Sequence, residues 1–274
     1  MEYIYQLAGI QIACSLPFSI QINAESKEFL RPGTEEADLQ FIARQVEDLP
    51  TPTGVAIGCR YYDSDTTWFC AGKDYPPYAM TQHTGNEIHC FYLEGNEHRL
   101  QYSANLCDLL GLERLLPLQE ALLLHCSFVR VRGQAILFSG PSGVGKSTQA
   151  ALWEKHLSAE LCNGDRAAVR FHEGIWQAHG LPYAGSSHVF RNASAPCRAI
   201  IMLGQGKENR LRRLPPREAF TALYPELTLH HWEKATVERC TTLLSNLISK
   251  IPVYYLECLP EEQAVQLLYQ EVFS

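Results

Sequence analysis

The sequence lacks the spacing by which cysteines form zinc ribbons or redox pairs: it has ten cysteines and no C-x-x-C. It also lacks any apolar run near the roughly 18 residues that span a bilayer. Met1-Glu2-Tyr3-Ile4-Tyr5-Gln6 carries no basic segment ahead of an apolar one. The expectation is a cytoplasmic chain with no secretory leader and no membrane partner, its thiols free in a reducing compartment. Positive charge is scarce too. Lys and Arg number 23 against 30 Asp and Glu, and the formal net charge of −7 argues against a nucleic-acid or anionic-membrane partner. What is present is ordinary for a folded protein: 274 residues, 46% hydrophobic and 19% charged, enough for one large domain or two smaller ones.

Residues 1–104 read as β-rich. Tyr3-Ile4-Tyr5 and Ile10-Gln11-Ile12 flank Gly9, and Val55-Ala56-Ile57, Thr67-Trp68-Phe69 and Ile88–Leu93 are further strand candidates. Arg31-Pro32-Gly33, Pro50–Gly54, Asp63-Ser64-Asp65 and Glu94-Gly95-Asn96 read as the turns between them. No chemistry is recognisable in this part.

The pattern changes near Asn105. Leu106, Leu109, Leu110, Leu112, Leu115, Leu116, Leu118, Leu122 and Leu123 recur at helical spacing, interrupted at Pro117, which predicts two helices, the second ending near Leu124. From His125 the period becomes that of a strand, with Phe128, Arg130 and Arg132 alternating against Val129 and Val131. Gly133 turns the chain into the apolar run Ala135-Ile136-Leu137-Phe138, so an antiparallel hairpin is expected and the sheet is expected to be mixed.

That hairpin leads into Gly140-Pro141-Ser142-Gly143-Val144-Gly145-Lys146-Ser147-Thr148, which satisfies G-x-x-x-x-G-K-[ST] at every required position. The glycines let the backbone curl so that several N–H groups face one phosphate. Lys146, read as a surface-facing loop charge, would reach the β- and γ-phosphates, and the Ser147 hydroxyl would hold Mg²⁺. Thr148–Leu157 suits a helix, whose dipole adds to the anion site.

Glu160-Leu161-Cys162 resumes a strand, and Asn163-Gly164-Asp165-Arg166 follows. Asp165 suits a second Mg²⁺ contact, or else belongs to an N-G-D turn. Trp176–Val189, with Gly180-Leu181-Pro182-Tyr183-Ala184-Gly185-Ser186-Ser187 inside it, reads as a glycine-punctuated segment that lines a cleft or simply connects. Ala199–Leu203 is a buried strand. Lys207, Arg210, Arg212, Arg213 and Arg217 form a basic cluster, either a solvated face or an attractor of acidic ligands. Helices are expected from Arg217, over Ala235–Lys250 and over Pro260–Phe273, with a strand at Val253–Cys258. His230-His231 reads as a pair without a matching carboxylate set.

The run His125–Thr148, with Glu160–Val169 behind it, resembles HPr kinase/phosphorylase and its bacterial relatives, whose fold is related to phosphoenolpyruvate carboxykinase. In that family a histidine begins a hairpin strand, a G-x-S-G-x-G-K-S loop follows, and an acidic pair ends the next strand. His125, Gly140–Ser147 and Asp165 fall in those places. Gly180–Gly185 and Arg191–Leu203 are closer to a subgroup, some of whose members modify ribosomally made peptides. The resemblance covers residues 105–274 and implies an α/β, mixed-sheet P-loop kinase domain there, preceded by the β-rich region 1–104. It implies ATP and Mg²⁺ as cofactors and transfer to a serine or similar hydroxyl of a protein, peptide or small molecule. Lys146, Asp165, His125 and Arg191 would be catalytic, Ser147 and Asp165 would hold the metal, and a homo-oligomer is left open. One departure matters: the family's Asp-Asp is Gly164-Asp165 here. Either Asp165 serves both roles, or His125 helps with the proton, or transfer is weak or absent. In that last case the chain is a nucleotide-binding regulatory or assembly protein.

Overall fold

A computed structural model describes residues 1–22, 26–183 and 188–274, with the backbone alone at 103 and 104. Contacts divide the chain into two units, Met1–Leu112 and Glu113–Ser274.

In the first unit the alternation Ile10, Ile12, Cys14 puts one face of a strand into a core with Tyr5, Phe41, Cys90 and Tyr92. The strands are β1 (Glu2–Leu7), β2 (Ile10–Ser15), β3 (Leu30–Pro32), β4 (Leu39–Val46), β5 (Val55–Ile57), β6 (Arg60–Asp63), β7 (Thr66–Cys70), β8 (Pro77–Thr84) and β9 (Glu87–Leu93). They form one sheet in the order β3-β1-β2-β4-β9-β8-β7-β6-β5. Helices α1 (Glu97–Leu100) and α2 (Ser103–Leu109) follow. Ala8 and Gly9, at φ 52° and 71°, make the two-residue turn between β1 and β2. Arg31-Pro32 is not the expected turn. Both residues lie in β3, where Pro32 is opposite Tyr3, and a proline is tolerated there because β3 is the sheet's edge.

The second unit begins within α3 (Leu112–Leu118), at Glu113, and that helix carries Pro117 in its last turn. The expected helix to Leu124 ends there. Glu120, at φ 57°, turns the chain, and Leu122–Leu124 are already strand. A leucine run buried on both faces has no period to separate strand from helix. The remaining elements are β10 (Ala121–Val131), β11 (Gln134–Ser139), α4 (Lys146–Leu157), β12 (Glu160–Asn163), β13 (Arg166–His172), β14 (Ile175–Gly180), β15 (Ser194–Gln205), β16 (Arg210–Arg213), α5 (Pro216–Leu223), α6 (Lys234–Lys250), β17 (Val253–Cys258) and α7 (Glu262–Phe273). Trp176–Gly180 is therefore strand rather than loop. Residues 184–187 of that predicted segment lie outside the described residues. Pro260 precedes α7 instead of opening it.

The sheet is mixed. β10 and β11 form the predicted antiparallel hairpin, turned by Arg132 and Gly133 at φ 50° and 74°. β11 runs parallel to β15, β15 parallel to β17, and β16 antiparallel to β17. Both faces are covered. Phe128, Leu137, Ile200 and Met202 face a core completed by Leu223 of α5 and Leu244 and Leu247 of α6. Val129, Ile136, Phe138 and Ile201 face another completed by Trp153 of α4 and Leu268 of α7. That is why these strands read as continuous apolar runs. No helix among the described residues is long and apolar enough to cross a membrane.

Two histidines in this unit titrate in opposite senses. Burial in β14 pushes the His179 imidazole down to about 4, helped by the charges of Arg170 and His172. The unfolded chain therefore takes up a proton near the ordinary value of 6.5 that the folded chain refuses until about 4. Stability is expected to fall as pH drops through that window, by on the order of 3 kcal/mol from this group. Urea melts across the window check this: His179→Gln flattens the slope, and an unchanged slope removes His179 as its source. His230 behaves differently. Burial disfavours its charge, but Glu113 at 3.2 Å and Glu233 at 3.6 Å outweigh it and raise the pKa. Its contribution is complete below the ordinary value and is lost only as pH rises through the raised one. His230 thus has carboxylate partners, the distant Glu113 and the nearby Glu233, where the sequence reading gave it none.

Candidate functional site

The hairpin strand β11 delivers the chain to Gly140, where φ is 134°. A Cβ there would stand 3.3 Å from the Leu203 carbonyl oxygen and from Val144 Cγ1, so the loop packs against β15 only with glycine. Gly145, at φ 114°, makes the last bend before α4. The N-terminus of α4 thus faces the loop's concave side with Ser147 and Thr148 exposed on it.

Lys146 departs from expectation. Its side chain is 8% exposed rather than surface-facing, and Nζ donates to the carbonyls of Gly140 at 2.7 Å and Pro141 at 3.1 Å. The lysine therefore ties its own loop into a ring. Burial pushes its ammonium pKa down, while the charges of Glu226 and Asp165 oppose that shift.

Asp165 is placed by a residue that sequence reading passed over. Asn163 is fully buried, and its Oδ1 accepts from the backbone N–H of Asp165 at 2.8 Å and of Arg166 at 2.9 Å. Its Nδ2 donates to the carbonyls of Leu181 at 2.7 Å and Tyr183 at 3.1 Å. Asn163 makes the turn. The carboxylate of Asp165 has no part in it, and Arg166 Nε stands 3.7 Å away.

His125 sits in β10 where that strand changes partners, from β13 to β11. Ser139 Oγ donates to its carbonyl at 2.8 Å. Its Nδ1 stands 3.1 Å from Oε2 of Glu226, a 9%-exposed carboxylate in the short turn Tyr224–Glu226 after α5. The bridge Leu124–Leu227 and the hydrogen bond from Thr228 N–H to the Leu123 carbonyl at 2.8 Å hold that turn against β10. A carboxylate only accepts, so Nδ1 carries a proton, and the tautomer of the neutral ring that fits this contact has its lone pair on Nε2. Glu226 lies 101 positions from His125, with no local signal that could have linked them.

The structure brings His125, Ser142, Gly143, Gly145, Lys146, Ser147, Thr148, Gly164 and Asp165 to one cavity of about 380 Å³. A second cleft, about 370 Å³, shares Gly143, Gly145 and Thr148 with it and continues to Gln149, Gln205, Cys258 and Pro260. Val144 borders this second cleft, while Pro141 is exposed at the loop's crest. Arg191 lines neither; it stands 3.5 Å from Glu160, which also accepts from Arg130 Nε at 2.9 Å. The basic cluster is partly neutralised: Arg210 pairs with Glu208 and Arg212 with Glu218 at 2.7 Å.

The cavity's residues fit a nucleotide's phosphates. Left-handed glycines open the loop, a lysine stands at its base, and a helix begins at its rim. Among the described residues no cluster of three or more His, Cys, Asp or Glu is suited to a metal ion. A divalent cation would have to be held by Ser147, Asp165 and the ligand's own oxygens, as Mg²⁺ usually is at phosphates.

No family model matches the chain, and no curated protein matches it. Among solved structures, the HPr(Ser) kinase/phosphatase from Coxiella burnetii is similar over 47% of this chain and 91% of that one, at 13% identity and a TM-score of 0.25.

Proposed function

We propose that this chain is an ATP-dependent phosphotransferase acting on a hydroxyl, a serine or its like, of a protein, peptide or small molecule. What carries the reading is the convergence of the glycine loop, His125 and Asp165 on one cavity, with Glu226 behind the imidazole. Phosphoryl transfer asks mainly for positioning and charge stabilisation. The loop and Lys146 would hold the β- and γ-phosphates, and the neighbouring cleft at Gln149 and Gln205 would receive the nucleoside. Ser147 and Asp165 would hold Mg²⁺, which supplies neutralisation of the phosphate charge.

Glu226 answers the gap left by Gly164. The acceptor oxygen would bond to the γ-phosphorus as the bond to the ADP oxygen breaks, and the hydroxyl proton would pass to His125 Nε2. Glu226 holds the neutral ring's proton on Nδ1, which leaves Nε2 as the acceptor, and stabilises the imidazolium that results. Asp165 is then left to the metal, and the proton falls to His125 with Glu226 behind it.

The test is incubation of the protein with γ-labelled ATP and lysate of its host. Label on a partner that disappears with Glu226→Gln is expected. Nucleotide binding without transfer, under the same conditions, would support the regulatory reading instead.

A further inference from the structure

The first unit carries a cavity of about 410 Å³ that the phosphotransfer reading does not use. It lies between the β6–β7 hairpin and the helices α1 and α2. Its floor is apolar, with Phe69 and Leu109 both buried. Its walls carry two arginines, Arg60 and Arg99, and one carboxylate, Asp108.

Arg60 is accounted for. It pairs with Asp108 at 3.1 Å and lies 5.3 Å from the centroid of the Phe69 ring. Arg99 is not. Its guanidinium lies 5.2 Å from the Tyr78 ring centroid, its Nε is buried without a hydrogen-bond acceptor, and no carboxylate pairs with it among the described residues. A half-buried cation held only by an aromatic face is costly, because the ring returns less than the lost hydration. Tyr78 does not neutralise it either, since burial pushes that phenol's pKa up and keeps it a hydroxyl. Tyr102, 51% exposed, stands at the same cavity and offers a ring face to solvent.

We propose that this cavity binds a small organic oxyanion, a carboxylate or phosphate group carried on a flat apolar body, with Arg99 as its anchor. A planar guanidinium takes either group through paired N–H donors. Phe69, Leu109 and the exposed ring of Tyr102 take the apolar body. A cation would meet two arginines and is excluded on charge. The inference does not depend on phosphotransfer, because it rests on other residues in another unit.

Cys59 gives a local readout, since it is exposed and lines this cavity. Its rate of alkylation, resolved by peptide mass spectrometry on the full-length protein, is measured with benzoate, phenyl phosphate, inorganic phosphate and benzamide at millimolar concentration. Benzoate and phenyl phosphate are expected to slow the reaction, inorganic phosphate to slow it less, and neutral benzamide not at all. Whichever of the first two protects at the lower concentration identifies the group as carboxylate or phosphate. Arg99→Gln is expected to weaken that protection by about 10- to 100-fold, the usual worth of a charge-assisted hydrogen bond. Arg99→Lys should retain part of it, because charge survives and the fork does not. Should Arg99→Gln fail to fold, Tyr102→Ala replaces it, with loss expected for the phenyl-bearing probes and none for inorganic phosphate. Benzamide protecting as well as benzoate, Arg99→Gln or its replacement binding as the parent does, or no probe slowing Cys59 would each overturn the proposal.

Discussion

Lys146→Met is expected to abolish the protection that ATP gives against thermal unfolding, while the ligand-free protein melts within a few degrees of the parent. Methionine keeps the stem's packing and removes the ammonium. The side chain is buried, and its Nζ donates to two carbonyls of its own loop. Two opposed effects therefore meet in the ligand-free state: two hydrogen bonds are lost, and the cost of desolvating a charge is removed. Each is of order 1–3 kcal/mol, so they largely offset. Nothing offsets the loss when a nucleotide is present. At 100-fold excess over its dissociation constant, ATP stabilises the parent by about 2.7 kcal/mol. In a domain of this size that is about 5–10 °C in the melting temperature. Scanning calorimetry with and without ATP reads both quantities. Equal protection of variant and parent would mean that the loop does not bind phosphate.

Asp165→Asn is expected to lower Mg²⁺-dependent transfer by on the order of 10²-fold or more, since an amide is a poor metal ligand. Binding of ATP without Mg²⁺ should change little or tighten, because a negative charge facing the phosphates has gone. The fold should tolerate the change. The turn at this point is made by Asn163, whose Oδ1 accepts from the backbone N–H of residue 165, and the variant keeps that N–H. Had Asp165 been there for the turn, asparagine would serve as well and activity would stay near the parent's. Transfer rates at several Mg²⁺ concentrations separate the two accounts, and an unchanged rate removes Asp165 from the mechanism.

Where residues interact locally, the sequence was readable. The β10–β11 hairpin shows in the switch of period at His125 and in Gly133, and both are satisfied within a few positions. The α/β class and the mixed sheet followed from that hairpin. Trouble arose wherever burial removed the pattern. Leu122–Leu124 read as helix because a strand covered on both faces offers no alternation. Arg31-Pro32 read as a turn because proline's tolerance at a sheet edge depends on knowing where the edge is. Long-range partners were beyond reach altogether. Nothing near Arg191 reveals that Glu160 will meet it, and nothing near His125 points to Glu226. His230 was read as lacking carboxylates: Glu113 stands 117 positions away, and Glu233, three positions on, was in view but was not credited. Asn163 is a different case: its type and place in N-G-D were visible, but the turn was credited to the motif and not to the one side chain that makes it.

Glu226 does not line the cavity; its hydrogen bond there is to the ring of His125, which does. Heredity can therefore act on the two halves of the site separately. A change at position 226 removes no hydrogen bond of the glycine loop, the lysine ring or the Asn163 turn, although it takes away a charge that Lys146 feels. Glutamate and glutamine codons differ by a single base, so under the proposed phosphotransfer reading a lineage could exchange transfer for nucleotide sensing in one mutational step and return by the same route.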